Sequence, residues 1–196
     1  MKDTREHVRS YYAASARRQS AYAPLAGEQS CDVAVVGGGF TGLSAALFLA
    51  ERGYDVALIE KNRIGWGASG RNGGQLIDGF VELEKIEKRL GADAKRVAWQ
   101  MGVECRDIVV QRIEKYGIDC DLKYGYLDLA LKPSEMDGFR SAIDEQKKMG
   151  YPHEMRMVER EDMPSVIGSQ HYIGGMINEA NGHLHPLNLC LGEASA

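Results

Sequence analysis

The sequence predicts a chain of the α/β class, α+β overall, organised around one βαβ unit near its N-terminus. Three observations predict it. Val33-Ala34-Val35-Val36 has the length and β-branched content of a buried parallel strand. Gly37-Gly38-Gly39-Phe40-Thr41-Gly42 follows at once and reads G-x-G-x-x-G, and residues 43–52 then read as a helix stopped by Gly53. Residues 55–59 form a second apolar run, closed by Glu60.

Each part of that order has a physical reason. Gly37 permits the tight turn out of the strand, Gly39 removes a side chain where a pyrophosphate must approach the backbone, and Gly42 lets helix and strand pack closely. The helix N-terminus offers N–H groups and the positive end of its dipole to phosphate. Glu60 stands at the tip of the second strand, where a carboxylate accepts hydrogen bonds from ribose hydroxyls and repels a 2′-phosphate. A lone G-x-G-x-x-G is weak evidence; strand, glycines, helix, strand and acid in sequence point to a dinucleotide other than NADP.

Residues 61–75 come next, with glycines at 65, 67, 70, 73 and 74. That density disfavours regular structure, because glycine loses the most entropy on ordering. It suits a loop whose backbone approaches something closely, and a long dinucleotide would still need contacts there. This second loop favours FAD over NAD.

Composition sets the outer bounds. A chain of 196 residues has room for one domain or one and a half, and 44% apolar with 27% charged residues is ordinary for a globular protein. A net charge of −4 and the lack of a basic stripe give no reason to expect nucleic acid. No apolar run approaches the ~20 residues of a membrane span. Cys31, Cys105, Cys120 and Cys190 form no C-x-x-C pair and read as buried hydrophobes or thiols in a reducing compartment. Arg17-Arg18 has no hydrophobic segment behind it, so cytoplasmic residence is expected.

Three regions are expected: an N-terminal arm (1–30), the βαβ unit with its glycine-rich loop (31–80), and a helical and partial α/β portion (81–196). The arm reads as extended with one helical turn, packing on the surface; a place for Tyr11 or Tyr12 at a substrate mouth is the minor reading. Helices are expected over 82–90 and 92–116. In the second, Ala94, Val97, Ala98, Met101, Cys105, Ile108, Val109, Ile113 and Tyr116 form one apolar core face. Leu127, Leu129 and Leu131 alternate with Asp128 and Ala130, as in a strand within 119–131. Pro133-Ser134 starts a helix over 135–149 closed by Gly150, residues 155–158 form a short strand, and 159–166 a polar turn or short helix. Residues 172–178 read as a strand, Asn181-Gly182 as a turn, and a last helix begins at Leu187. No third V-x-V-V-G run follows to extend the parallel sheet, so the expectation is the N-terminal part of a longer protein.

Candidate catalytic groups are sparse. His183 and His185, at i and i+2, would share one side of an extended segment. No third ligand of the right type lies nearby, so packing near the cofactor or in the structure is expected, and no metal. No nucleophile elbow or Ser/His/Asp set is present, which leaves redox chemistry carried by a cofactor.

The chain resembles the FAD-dependent amine and amino-acid oxidase superfamily typified by D-amino-acid, glycine and sarcosine oxidases. The residues that carry the likeness are SYYAAS at 10–15, the stretch 31–49, RIGWGASGRNGGQL at 63–76, YGIDCD at 116–121 and GHLHPLNLCLGEA at 182–194. The likeness implies a Rossmann-like FAD domain with part of a mixed α/β substrate domain. It implies non-covalent FAD held by Gly37, Gly39, Phe40, Thr41, Gly42, Glu60 and Lys61, with Ala68, Ser69, Asn72, Gly73, Gly74 and Gln75 along the pyrophosphate, ribityl chain and ring. Arg63 or Arg71 would face phosphate or form a surface salt bridge. It implies hydride transfer from a small aliphatic amine to flavin N5, with O2 or another acceptor taking the electrons. γ-Glutamylputrescine stands first among substrates, and sarcosine, glycine or a D-amino acid second. A further alternative is a non-catalytic fragment that binds FAD weakly or not at all. No catalytic residue is assigned.

Overall fold

The structure is a computed structural model that describes residues 6–17, 22–79 and 82–196; Arg18 and the remaining residues of the arm and of the 31–80 and 81–196 regions lie outside the described residues. In chain order the elements are α1 (Tyr11–Ser15), β1 (Val33–Val36), α2 (Phe40–Ala50), β2 (Val56–Ile59), a 3-10 turn (Ala68–Gly70) and β3 (Gln75–Leu76). Then come α3 (Leu83–Leu90), α4 (Ala92–Lys115), β4 (Lys123–Ala130), α5 (Pro133–Met149), β5 (Met155–Glu159), α6 (Met163–Val166), β6 (Gly174–His183) and α7 (Pro186–Glu193). Contacts divide the chain into two compact units. Unit 1 holds Met1–Gln75, Cys105–Leu122 and Leu184–Ala196; unit 2 holds Leu76–Glu104 and Lys123–His183.

In unit 1, β1 and β2 pair in parallel, Val33 against Val56 through Val36 against Ile59. The Gly37 N–H extends the ladder to Ile59 O at 2.8 Å. α2 begins at Phe40, three residues before the expected start, because the backbone of Gly39 already serves as the N-cap and its carbonyl takes the Leu43 N–H at 2.9 Å. The G-x-G-x-x-G run therefore ends inside the first helical turn. Leu43, Ile64, Leu187, Cys190 and Leu191 form the core, with Tyr12, Phe40 and Leu58 packed on it. All eight residues of α7 are buried.

Unit 2 is an antiparallel sheet with β6 between partners: β4 lies on one side, β5 pairs along the same stretch, and β3 joins in the order β3-β6-β4. Leu127 and Leu129 pack on the Val158, Met163 and Ile177 core as the alternation predicts, but Leu131 falls beyond β4 and is exposed while Ala130 is fully buried; α5 lies against β4, β5 and β6. Gly150 closes α5 in the left-handed region at φ 81°.

Two expectations are corrected. Asn181-Gly182 is not a turn, since β6 runs through it to His183. Gly182 fits there because a Cβ would run into the Lys123 carbonyl, and the register shifts opposite it between Tyr124 and Tyr126. Asn181 turns its amide onto Asp78, donating from Nδ2 to Oδ1 at 3.1 Å and accepting the Asp78 N–H at 3.0 Å. The turn signal here encodes a bulged strand.

The second correction concerns α4. Its buried face is Ala98, Trp99, Val103, Arg106, Val110, Arg112 and Ile113, whereas Val97, Met101 and Ile108 are 51%, 49% and 40% exposed. Ala98 and Ile113 face inward as the spacing suggests, but Arg106 and Arg112 share that inner face and Val97, Met101 and Ile108 do not. Arg112 donates to Ser44 Oγ at 2.8 Å and lies 3.4 Å from Glu193, which explains how a charge sits inside.

All four cysteines are thiols. Burial pushes the Cys120 thiol up to about 11 and the Cys190 thiol up to about 12, while Cys105 is exposed. Alkylation of the native chain followed by mass spectrometry should label Cys105 first and leave Cys120 and Cys190 unmodified until denaturant is added. A second prediction concerns β6: Gly182→Ala should lower stability by about 1–3 kcal/mol in urea unfolding, because the obstacle is backbone and cannot swing away.

Candidate functional site

The site lies within unit 1, where β1 passes into α2. Gly37 takes φ +109°, a left-handed value that releases the chain from the strand. A Cβ on Gly42 would strike the Gly37 carbonyl oxygen, so the third glycine sets how closely helix and turn approach. A Cβ on Gly39 would come within 2.9 Å of Ser69 Oγ, a side-chain contact only.

Glu60 binds this turn to the tip of β2. Its Oε2 accepts the Gly38 N–H at 2.7 Å and its Oε1 accepts the Asn62 N–H at 2.9 Å. Ser69 reaches over from the glycine-rich loop, and its Oγ accepts the Phe40 N–H at 3.0 Å. Gly38 and Phe40 of the turn, Glu60 of the β2 tip and Ser69 of the loop are thus brought into one cluster. The N–H groups of Thr41 and Gly42 lie ahead of the first intrahelical bond of α2, at the positive end of its dipole.

The loop over 61–75 is held at defined points. The Gly65 N–H donates to Gly38 O at 2.8 Å. Asn72 Nδ2 donates to the Ala68 and Ser69 carbonyls at 3.2 and 2.8 Å, and its Oδ1 accepts the Gly74 N–H at 2.8 Å. Gly74 is buried at φ +70°, and its carbonyl accepts the Leu184 N–H at 2.8 Å. Ala68, Asn72, Gly73, Gln75 and Lys61 are exposed along this path. Gly74 is turned instead against Leu184 and Pro186.

Of the two arginines with open readings, Arg63 pairs with Glu6 at 2.6 Å and holds that carboxyl below its usual range. Arg71 stacks on the Trp66 ring at 5.1 Å and donates to Gly67 O. His183 and His185 do not share a face: His183 ends β6 exposed, and His185 is buried as the N-cap of α7. Beside Glu60 opens a cleft of about 780 Å³, lined by Ala46, Leu47, Leu58, Arg63 and Glu193 among others. Burial pushes the Glu193 carboxyl up, and Arg112 only partly offsets this.

Several partners escaped sequence reasoning. The Glu60 contacts to Gly38 and Asn62 run to backbone and leave no residue signature. Arg112 carried one: it falls at helical spacing among buried apolar residues. Among the described residues, no group of three His, Cys, Asp or Glu side chains is placed to hold a metal ion, and no helix is long and apolar enough to cross a membrane.

The model of the DAO family, described as FAD dependent oxidoreductase, matches residues 32–196. The chain belongs to this family of FAD-dependent oxidoreductases. It is 46% identical over 193 residues to a probable oxidoreductase OrdL of Haemophilus influenzae, covering 97% of this chain and 44% of that protein. It is 42% identical over 195 residues to the gamma-glutamylputrescine oxidoreductase of Escherichia coli, covering 97% and 45%. The chain therefore spans less than half the length of these relatives. Among solved structures, glycine oxidase from Bacillus cereus matches with TM-score 0.60 and 26% identity over 85% of this chain and 43% of that one. L-Amino acid deaminase from Proteus myxofaciens matches at TM-score 0.73 and 21% identity, over 92% and 39%, which speaks to the fold. These matches agree with the α/β reading and with the resemblance drawn from the motifs.

At the points the structure shows, this chain fits its family's cofactor: no side chain at Gly39, N–H groups at the α2 N-terminus and a carboxylate at the β2 tip. Glu60→Gln should test the cluster that shapes this turn. The amide must turn an NH2 toward one of two backbone donors, so urea unfolding should show a loss of about 1–3 kcal/mol.

Proposed function

We propose that this chain provides the FAD-binding part of an amine oxidoreductase acting on a small aliphatic amine, with γ-glutamylputrescine the first substrate to try. The observation that carries the cofactor part is the joining of Gly38, Phe40, Glu60 and Ser69 into one hydrogen-bonded turn at the start of α2. The substrate part is supported by the Escherichia coli relative, named for γ-glutamylputrescine.

In this reading Gly37, Gly39 and Gly42 shape the turn, and the N–H groups of Phe40, Thr41 and Gly42 face the pyrophosphate. Each Glu60 oxygen accepts one backbone N–H and keeps a lone pair for a ribose hydroxyl, with Lys61 beside it. Ser69 holds Phe40 in place, so a phosphate that takes the Phe40 N–H displaces a hydroxyl rather than water. Ala68, Asn72, Gly73 and Gln75 present the loop's open side to the ribityl chain and ring, and Gly74 backs it against α7. The bound flavin supplies two-electron oxidation of the amine's α-C–H bond, with O2 or another acceptor taking the electrons. The protein's part is to orient that bond and exclude water. Non-covalent attachment, the division at residues 30 and 80, and residence in a reducing cytoplasm belong to the same proposal.

A second reading is an enzyme acting on sarcosine, glycine or a D-amino acid, and the likeness to glycine oxidase favours it. A third, weak or no flavin binding by this chain, is favoured by Val36 of β1, which is 84% exposed. Two measurements separate them. The 196-residue chain mixed with FAD and passed through gel filtration should elute with visible flavin absorbance; colourless protein supports the third reading. A chain extended to the length of the relatives should release peroxide from γ-glutamylputrescine faster than from sarcosine, glycine or D-alanine. The reverse order supports the second reading.

A further inference from the structure

One buried titratable group outside the dinucleotide turn joins three separate stretches of unit 1. His185 is 4% exposed and caps α7, its Nδ1 accepting the Asn188 N–H at 3.0 Å. A backbone N–H only donates, so Nδ1 is bare and the neutral ring carries its proton on Nε2. Nε2 lies 3.1 Å from Ser15 Oγ, which accepts that proton's hydrogen bond. The Ser15 hydroxyl in turn donates to Tyr11 O at 2.6 Å. Tyr12 packs edge-on against the imidazole at 5.0 Å, and the Arg17 N–H donates to Asn188 Oδ1 at 3.0 Å. The His185 N–H itself goes to Cys120 O at 2.7 Å. Donors and acceptors run in one direction, and only one tautomer satisfies them.

α7 is also the floor of the glycine-rich loop. A Cβ on Gly65 would meet Leu187 and Cys190 at 3.0 and 3.1 Å, and one on Gly70 would meet Leu187 at 3.1 Å. The Leu184 N–H donates to Gly74 O just ahead of the cap.

We propose that His185 is a positioning residue that locks the N-terminal strap, residues 6–17, onto α7 and thereby steadies the loop above it, and that the lock opens when the ring gains a second proton. The bearing on flavin rests on the function proposed above; the lock does not. Protonation puts a hydrogen on Nδ1 facing the Asn188 N–H, so α7 loses its cap acceptor and gains a positive charge at the positive end of its dipole. The groups around the ring are known. Arg17 of the strap opposes protonation, and Asp121 favours it; Asp119 and Asp121 are both paired with Arg17. Tyr11 and Tyr12 face it from α1. Glu193, the charged residue of α7, sits at its far end against Arg112. Burial outweighs these charges and pushes the ring below its ordinary 6.5. A depressed imidazole value means the stabilisation is complete above 6.5 and is lost as pH falls below it.

The test is amide exchange, corrected for intrinsic rates, with 15N spectra of the histidine side chains in the 196-residue chain without FAD. The spectra should show His185 neutral with its proton on Nε2 at pH 7.5. Protection of the Arg17 and Ala14 amides should fall at least about fivefold, in step with the titration of this ring. Ser15→Ala should lower strap protection while His185 still titrates. His185→Asn, whose Oδ1 can still cap Asn188, should keep α7 protected and leave the strap poorly protected, with no step from about pH 5 to 8. A proton on Nδ1, strap protection that ignores the ring's titration, or wild-type strap protection in His185→Asn would overturn the lock. FAD retention is measured in parallel. A strap that follows the ring in a chain that never holds FAD would overturn the flavin reading alone.

Discussion

Two hydrogen bonds to one carboxylate hold the dinucleotide turn in shape. Glu60 ends β2, yet its oxygens take the N–H of Gly38, at the exit of β1, and of Asn62, at the entry to the glycine-rich loop. Backbone donors buried without a partner cost more than a made bond returns, so the carboxylate fixes the path of both segments at once. The start of α2, the reach of Ser69 to Phe40 and the bond from Gly65 to Gly38 all presuppose that path.

Beneath it α7 supplies rigidity. A helix buried over its whole length has no polar face to spare, and its end groups must be satisfied by specific partners. His185 does this at one end. At the other, Glu193 shares Arg112 with Ser44 of α2, and thereby ties together three stretches that are distant in the chain. A polar frame therefore surrounds the apolar cluster of Leu43, Ile64, Leu187, Cys190 and Leu191.

The βαβ unit could be read from sequence almost residue by residue, because its constraints are local: β-branched runs, positive φ at Gly37 and an acid at a fixed remove. The Leu127 and Leu129 alternation, the Gly150 stop and the one-turn α1 were readable for the same reason. Misreadings came where long-range partners decided the outcome. Asn181-Gly182 has the composition of a turn, but Asp78 and the Lys123 carbonyl make it a bulged strand. On α4 the apolar count chose a face that Arg106 and Arg112 partly overrule. Of the candidate site, the motif glycines and Glu60 stand out from spacing alone, and Ser69 only from the family resemblance. The bonds that Glu60 and Ser69 accept could not be read in this way, since their donors are the backbone N–H groups of Gly38, Asn62 and Phe40, whose positions depend on the fold.

The three motif glycines answer to different obligations. Gly42 abuts a carbonyl of its own chain, so its absent side chain is demanded by the architecture whether or not anything is ever bound. Gly39 faces only the hydroxyl of Ser69, an obstacle that can rotate away. Gly42 is therefore compelled by the architecture alone, whereas a methyl at Gly39 would cost only the bond that Ser69 makes to the Phe40 N–H. Under the proposed function a side chain at Gly39 would also enter the path of the pyrophosphate, so in descendants of this sequence the middle glycine, not the last, would record whether that role persists.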